Sequence, residues 1–259
     1  MKRTLLALLI CLAPAFAQAP KLDKAKVEAY LRHLELWVPQ VNVAVQDPTP
    51  STYMPGYMDM VVRLTFNGNS ADVKYYISPD GKTVAFSVST PDVAENRSVR
   101  SIWTVPMAGG EPVKIADSGE RPRWAPNGKS IYYTSSQGGS SQIWKMNPDG
   151  SGQTAVTKLA TEASGQIISS DEKYLVLTSD VYPECSTAAS FDEACNAKLA
   201  AEERSSKVRA HLATSLLFRH WNAWQGKTRT HILSFSLADG KVVDLTPGDR
   251  VVPPFSLGG

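Results

Sequence analysis

The spacing of hydrophobic positions changes along the chain. Between residues 21 and 38 the apolar side chains Leu22, Val27, Tyr30, Leu31, Leu34 and Trp37 or Val38 recur at threes and fours. That spacing places them on one stripe and predicts a helix, with Asp23 able to start it and Pro39 to end it. From Val41 the period falls to two. Val41, Val43 and Val45 alternate with polar residues, which predicts a short strand running into Asp47-Pro48-Thr49-Pro50. Val61 to Phe66 and Asp72 to Ile77 read as two further strands joined by the turn Asn67-Gly68-Asn69.

Beyond residue 77 the pattern repeats. Ser78-Pro79-Asp80-Gly81-Lys82 precedes Val84-Ala85-Phe86, and Ala125-Pro126-Asn127-Gly128-Lys129 precedes Ile131-Tyr132-Tyr133. A weaker copy, Ser169-Ser170-Asp171-Glu172-Lys173, precedes Leu175-Val176-Leu177. In each, a turn is followed by an apolar triplet, as expected of a strand buried on both faces. A second strand follows at Ile102-Trp103-Thr104-Val105 and Ile143-Trp144-Lys145-Met146, then a glycine turn, then an outer strand near Val113 to Ile115 and Ala155 to Thr157. The third outer half comes late, at His231 to Ser234 and Val242 to Thr246. Repeats of roughly 47 and 44 residues, each with four short strands, are blades of a β-propeller. The expected fold is mainly β: about three blades of an incomplete propeller, a small α+β domain over residues 18–72, and the propeller part over 73–259. Residues of about 181–228 interrupt the third blade as a helical insertion. In it Val208, Leu212, Leu216 and Phe218 or Arg219 keep helical spacing, which predicts a helix from Asn196 to about Trp221.

The first residues add a compartment. Lys2-Arg3, an apolar run from Leu5 to Leu12 and the small-x-small site Ala15-Phe16-Ala17 follow the order of a secretory leader, giving a signal peptide over 1–17. Periplasmic or secreted localisation is the expectation, with no membrane contact after cleavage. Without Lys2 and Arg3 the 27 basic residues fall level with the 25 acidic ones, which gives no electrostatic case for a nucleic-acid partner. The remaining cysteines, Cys185 and Cys195, have nine residues between them. In an oxidising compartment they form a disulfide, the alternative being two buried thiols. No cysteine or histidine spacing suggests a metal site, and no cofactor is expected.

Two resemblances sharpen this reading. Val181-Tyr182-Pro183-Glu184-Cys185, Phe218-Arg219-His220-Trp221-Asn222-Ala223-Trp224, His231-Ile232-Leu233 and Asp244-Leu245-Thr246-Pro247-Gly248 resemble the propeller of the prolyl oligopeptidase family of serine peptidases. The likeness is strongest to its bacterial dipeptidyl aminopeptidase and acylaminoacyl peptidase branch, and it runs from about residue 75 to the end. More general stretches, such as Pro122-Arg123-Trp124-Ala125-Pro126-Asn127-Gly128 and Gln142-Ile143-Trp144, are shared with TolB-like propellers. Residues of about 21–80, through Tyr30 to Leu34, Asp47 to Ser51 and Pro55-Gly56-Tyr57, look more like the small N-terminal domain of secreted DsbA-like thiol oxidoreductases. No Cys-x-x-Cys accompanies that match.

The peptidase resemblance implies a propeller that gates and helps bind peptide substrates, with the chemistry in an α/β-hydrolase domain. That domain carries its nucleophile in Gly-x-Ser-x-Gly, a spacing that does not occur here. No catalytic residue is therefore assigned, and the hydrolase domain is expected as a partner outside this sequence. Glu202 and Glu203 could meet a peptide's ammonium group, although adjacent glutamates also suit a solvated helix face. Arg219 and His220 fit either a substrate-facing or a packed role. The alternative function is a stand-alone periplasmic TolB-like propeller that binds other proteins.

Overall fold

The computed structural model describes residues 23–34, 38–51, 58–78, 81–187, 190–208, 210, 219–220, 223–224 and 226–252. The expected signal peptide lies outside the described residues. Helix α1 (Lys24–Leu34) starts where Asp23 accepts the backbone N–H of Lys26. Glu28 and Arg32 pair one turn apart, and Arg32 also donates to the Val41 carbonyl, which fixes the helix against strand β1 (Asn42–Val45). Next come the two-residue strand β2 (Thr49–Pro50), β3 (Met58–Phe66) and β4 (Asn69–Ile77). Strands β3 and β4 form a hairpin through the Asn67-Gly68 turn, in the register Phe66 opposite Asn69.

Three meanders follow. Strands β5 (Thr83–Asp92), β6 (Arg97–Pro106) and β7 (Val113–Ala116) complete blade one with β4. Blade two is β8 (Glu120–Trp124), β9 (Ile131–Ser135), β10 (Gln142–Met146) and β11 (Thr154–Ala155). Blade three opens with β12 (Ser164–Ile168) and β13 (Tyr174–Val181). The insertion then carries β14 (Ser186–Thr187), β15 (Ser190–Phe191), α2 (Glu193–Ser205), β16 (Arg219–His220) and β17 (Ala223–Trp224). Strands β18 (Arg229–Ser236) and β19 (Val242–Asp244) close the blade, each pairing antiparallel with its neighbour. The fold is that of propeller blades laid side by side. Strand β4 belongs both to the β3–β4 hairpin and to blade one, so the boundary expected at residue 72 falls inside a strand. Its link to β5 is a single pair, Ile77 with Val84.

The apolar triplets explain the stacking. In β9 all five residues are buried, but alternate side chains serve different interfaces. Ile131 and Tyr133 join Ala85, Ile102, Ile115 and Trp124 between blades one and two. Tyr132 points the other way and joins Ile143, Leu175, Leu177 and Leu233 between blades two and three. A period-two strand covered on both sides must be apolar at every position. On the far face of blade three, the cross-strand row Ile167, Val176, Ser234 and Val243 leaves Ile167 51% and Val243 39% exposed.

The turns follow their sequences. Ser78 and Ser169 each use the hydroxyl to accept two backbone N–H groups of the turn, from Lys82 and Thr83 and from Lys173 and Tyr174. The middle copy has Ala125 instead, and Asn127 accepts the Lys129 N–H. Glu172 holds φ +55° where Gly81 and Gly128 hold +68° and +70°. Its carboxylate reaches the preceding blade's turn and accepts from the backbone and side-chain nitrogens of Asn127, both at 2.6 Å.

One expectation is corrected. The insertion helix does not run from Asn196 to about Trp221. It begins earlier, capped by Asp192, and ends at Ser205, with Ser206 already extended. Serine competes with helix by bonding nearby backbone, and the Ser206 hydroxyl accepts from the N–H of Val208, a residue 67% exposed. Leu212 and Leu216 lie outside the described residues. Arg219 and His220, counted as the helix end, instead pair as a strand with Trp224 and Ala223.

Candidate functional site

Neighbouring strands run in opposite directions, so the second-to-third strand connections of all three blades emerge at one end. They differ in size there. Blade two has only the short loop 136–141, whereas blade three carries the whole insertion. In blade one the β5–β6 hairpin continues past Val88 and Ser101, which align with Ser135 and Gln142 of blade two, by four residues on each strand. At 3.3 Å per residue the overhang is roughly 13 Å. This end is therefore elaborated on both sides of a low central blade.

The overhang is anchored to blade two. The Gly119 N–H donates to the Arg100 carbonyl at 2.9 Å, and Arg100 Nη1 meets Glu120 Oε2 at 2.8 Å. Beside these contacts opens a cleft of about 320 Å³, lined by Arg97 to Arg100 and by Ser118, Thr134, Ser135, Ser136 and Ser141. A second, apolar cleft lies under α1, lined by Leu31, Met60, Phe86 and Met107, the residues of the N-terminal core.

The insertion is fastened to its blade at several points. Cys185 and Cys195 are bonded, with Cα atoms 5.5 Å apart, joining the loop to the first turn of α2. Asn196, fully buried, accepts the Tyr182 N–H. Glu193 accepts the Ala160 N–H at 2.7 Å, while its other carboxylate oxygen is buried with no partner among the described residues. Burial pushes the Glu193 carboxyl above the ordinary glutamate value, opposed by the Ala160 bond and reinforced by Asp192. Burial and the neighbouring Glu203 carboxylate push the Tyr182 hydroxyl well above the usual tyrosine range.

A buried Ser-Asp-His group sits where the insertion returns to the sheet. His231 on β18 and Asp244 on β19 lie 2.6 Å apart, Nδ1 to Oδ2, both side chains fully enclosed. Ser186 donates to the same Oδ2, and the Thr246 N–H donates to Oδ1 at 2.8 Å. His231 Nε2 meets the Gly248 carbonyl at 2.9 Å. Both ring nitrogens thus face oxygens that can only accept, and both contacts are hydrogen bonds only when each nitrogen carries hydrogen. A nucleophilic triad needs the serine hydroxyl on the far imidazole nitrogen. Here the serine bonds the carboxylate and the far nitrogen is occupied, so the group fastens and does not activate.

The residues singled out from sequence fall into separate roles. Glu202 and Glu203 are both exposed on α2. Glu203 accepts the Tyr182 hydroxyl at 2.6 Å, and Glu202 stands 4.0 Å from Lys198 one turn away. The backbones of Arg219 and His220 form β16, and their side chains lie outside the described residues. The His231–Asp244–Ser186 group and the Arg97–Arg100 wall were not picked out. For the first, a signal existed: His231 falls in phase with Leu233 and Phe235 on the buried face of β18. No group of three His, Cys, Asp or Glu able to hold a metal occurs among the described residues, and no described helix is long and apolar enough to cross a membrane.

No family model matches the chain. It is similar to Dipeptidyl-peptidase 5 of Porphyromonas endodontalis, 27% identical over 244 residues, covering 89% of this chain and 32% of that protein. Dipeptidyl-peptidase 5 of Porphyromonas gingivalis is 29% identical over 184 residues, covering 69% and 25% respectively. Among solved structures, TolB from Acinetobacter baumannii has TM-score 0.44 and 16% identity over 79% of this chain and 44% of that one. Acylaminoacyl peptidase from Pyrococcus horikoshii has TM-score 0.43 and 12% identity over 78% and 24%. The chain is a propeller similar in sequence to two curated dipeptidyl peptidases, over 89% and 69% of its own length, and it spans about a third and a quarter of theirs.

Proposed function

We propose that this chain is the N-terminal propeller portion of an exported serine peptidase of the dipeptidyl or acylaminoacyl peptidase type, where it gates and helps bind short peptides. The observation that carries the reading is the similarity to two dipeptidyl peptidases, which is spread over most of this chain but a minor part of theirs. Two structural features support it. The half-exposed apolar row on blade three is the kind of surface a further packed layer covers. The elaborated end offers a walled, polar trough on the scale of ligand sites. Export is supported by the leader-like pattern of residues 1–17 and by the Cys185–Cys195 bond. Glu202 and Glu203 remain candidates for a peptide ammonium group, now with Glu203 shared with Tyr182, and Arg219 and His220 remain candidates on the same insertion.

The test is binding and turnover by the 259-residue chain. Short labelled peptides are titrated by fluorescence anisotropy beside a panel of folded proteins, and dipeptidyl-nitroanilides are offered as substrates. Peptide binding without turnover is expected. Turnover blocked by a serine-directed phosphonate overturns the placing of the chemistry elsewhere. Binding of folded proteins with no binding of peptides favours the TolB-like module instead.

A further inference from the structure

The overhanging part of β6 has an unpaired backbone edge, and that edge lines the trough. Strands β5 and β6 pair in one unbroken antiparallel register, from Thr83 opposite Pro106 to Asp92 opposite Arg97. One residue past Pro106, Met107 donates its N–H to the Lys82 carbonyl at 2.7 Å. Bonded and non-bonded pairs alternate in such a ladder, so every second residue back from Met107, down to Val99 and Arg97, turns its backbone groups to β5. The residues between, Ser98 and Arg100 among them, turn theirs away. The Gly119 N–H meets the Arg100 carbonyl on that outer side. Pro91 stands opposite Ser98 in a non-bonded pair, where its missing N–H costs the ladder nothing.

On the outer side, β7 covers β6 only from Ile102 to Thr104. The chain then leaves that lane, and Glu120 already belongs to blade two. Beyond this point the Ser98 N–H, the Ser98 carbonyl and the Arg100 N–H have no partner among the described residues. Arg97 to Arg100 are all exposed. The trough lies in the same lane, lined by Ser98 and Arg100 from this edge and by Ser136 and Ser141 from blade two. A donor, an acceptor and a second donor at the two-residue repeat of a strand match the main chain of one extended segment. Arg97 is paired with Asp92 and Arg100 with Glu120, so the match lies in the backbone and not in a free side-chain charge.

We infer that the outer edge of β6 at Ser98 and Arg100 is a peptide subsite of the strand-addition kind. An extended segment of roughly four residues, the length of the overhang, exchanges backbone hydrogen bonds with it and continues the sheet of blade one into the trough. The inference rests on the reading that this propeller binds peptides, and it adds the mode of binding and its residues.

The experiment titrates labelled pentapeptides of neutral, proline-free sequence against the intact 259-residue chain by anisotropy, with a single N-methyl group placed at each amide in turn. An extended segment turns only every second N–H to its neighbour. Methylation of the amides that face β6 should weaken binding by about tenfold or more, and methylation of those between should change it by less than about twofold. Ser98→Pro removes the outward N–H, leaves the bonds to β5 in place and should weaken binding by about tenfold, whereas Ser98→Ala should bind as the unmutated chain does. A methyl scan without alternation, or a folded Ser98→Pro chain with unchanged binding, overturns strand addition while leaving peptide binding intact. Binding of no peptide overturns the broader reading as well. If Ser98→Pro fails to fold, the methyl scan on the unmutated chain decides the matter.

Discussion

Replacing Asp244 by alanine probes the buried group that ties the insertion to blade three. The carboxylate accepts from His231, Ser186 and the Thr246 backbone, and its side chain is fully enclosed together with that of His231. Deleting it strands three donors away from water. Removing one member of a buried pair costs about 3–5 kcal/mol, because the other is left without compensation. Ser186→Ala, by contrast, removes a single hydrogen bond and its donor together, at about 1 kcal/mol. Because domains are stable by about 5–15 kcal/mol, the first change brings the fold near its limit and the second does not. Guanidinium unfolding followed by tryptophan fluorescence measures both. Limited proteolysis at exposed Lys207 and Val208 reports release of the insertion. The two changes should be non-additive, since once Asp244 is gone Ser186 has no bond left to lose. An Asp244→Ala cost below about 1 kcal/mol, or full additivity, refutes the view that this group is a single fastening.

Three further outcomes can be checked. Burial raises the folded-state value of Glu193, so the folded chain favours its protonated form. Stability should therefore fall as pH rises from the ordinary glutamate value through the raised one, and Glu193→Gln should flatten that slope in pH-dependent urea unfolding. Gly150 sits at φ +86°, and a Cβ there would overlap the Ile115 carbonyl of blade one. Gly150→Ala should cost about 1–3 kcal/mol in a thermal melt, and a neutral result would mean that the turn can move away. Reducing the Cys185–Cys195 bond, which closes a loop of sequence separation 10, should lower stability by about 2–3 kcal/mol and speed proteolysis of the insertion; unchanged cleavage would place its anchoring elsewhere.

The repeat was legible because its physics is local. Turn residues at fixed offsets and wholly apolar triplets declare strands buried on both faces, as Ile131, Tyr132 and Tyr133 do. The insertion was legible only in its limits. Val181 and Arg229 bound it as expected, but the helical spacing that continues from Val208 carries no sign of the stop at Ser205 and Ser206, where α2 ends. The trough could not be read from sequence. Arg100 and Glu120 meet because a hairpin overhangs the next blade, a juxtaposition that no spacing along the chain encodes. His231 and Asp244 stood in plain view, yet their partnership depends on the register of β18 against β19 and on a serine 58 residues from the carboxylate.

Glu172 has replaced the glycine that eases the same corner in the other two copies, accepting a left-handed backbone that costs about 1–2 kcal/mol in order to grip Asn127. That grip lies at the opposite rim from the trough, on the first-to-second strand corners. It clasps the second and third sheets at that rim, while the Ala163 N–H on the Ser141 carbonyl clasps them at the other. A repeated segment that gave up an easy bend thereby gained a hold on its neighbour, so the two sheets register against each other at both ends.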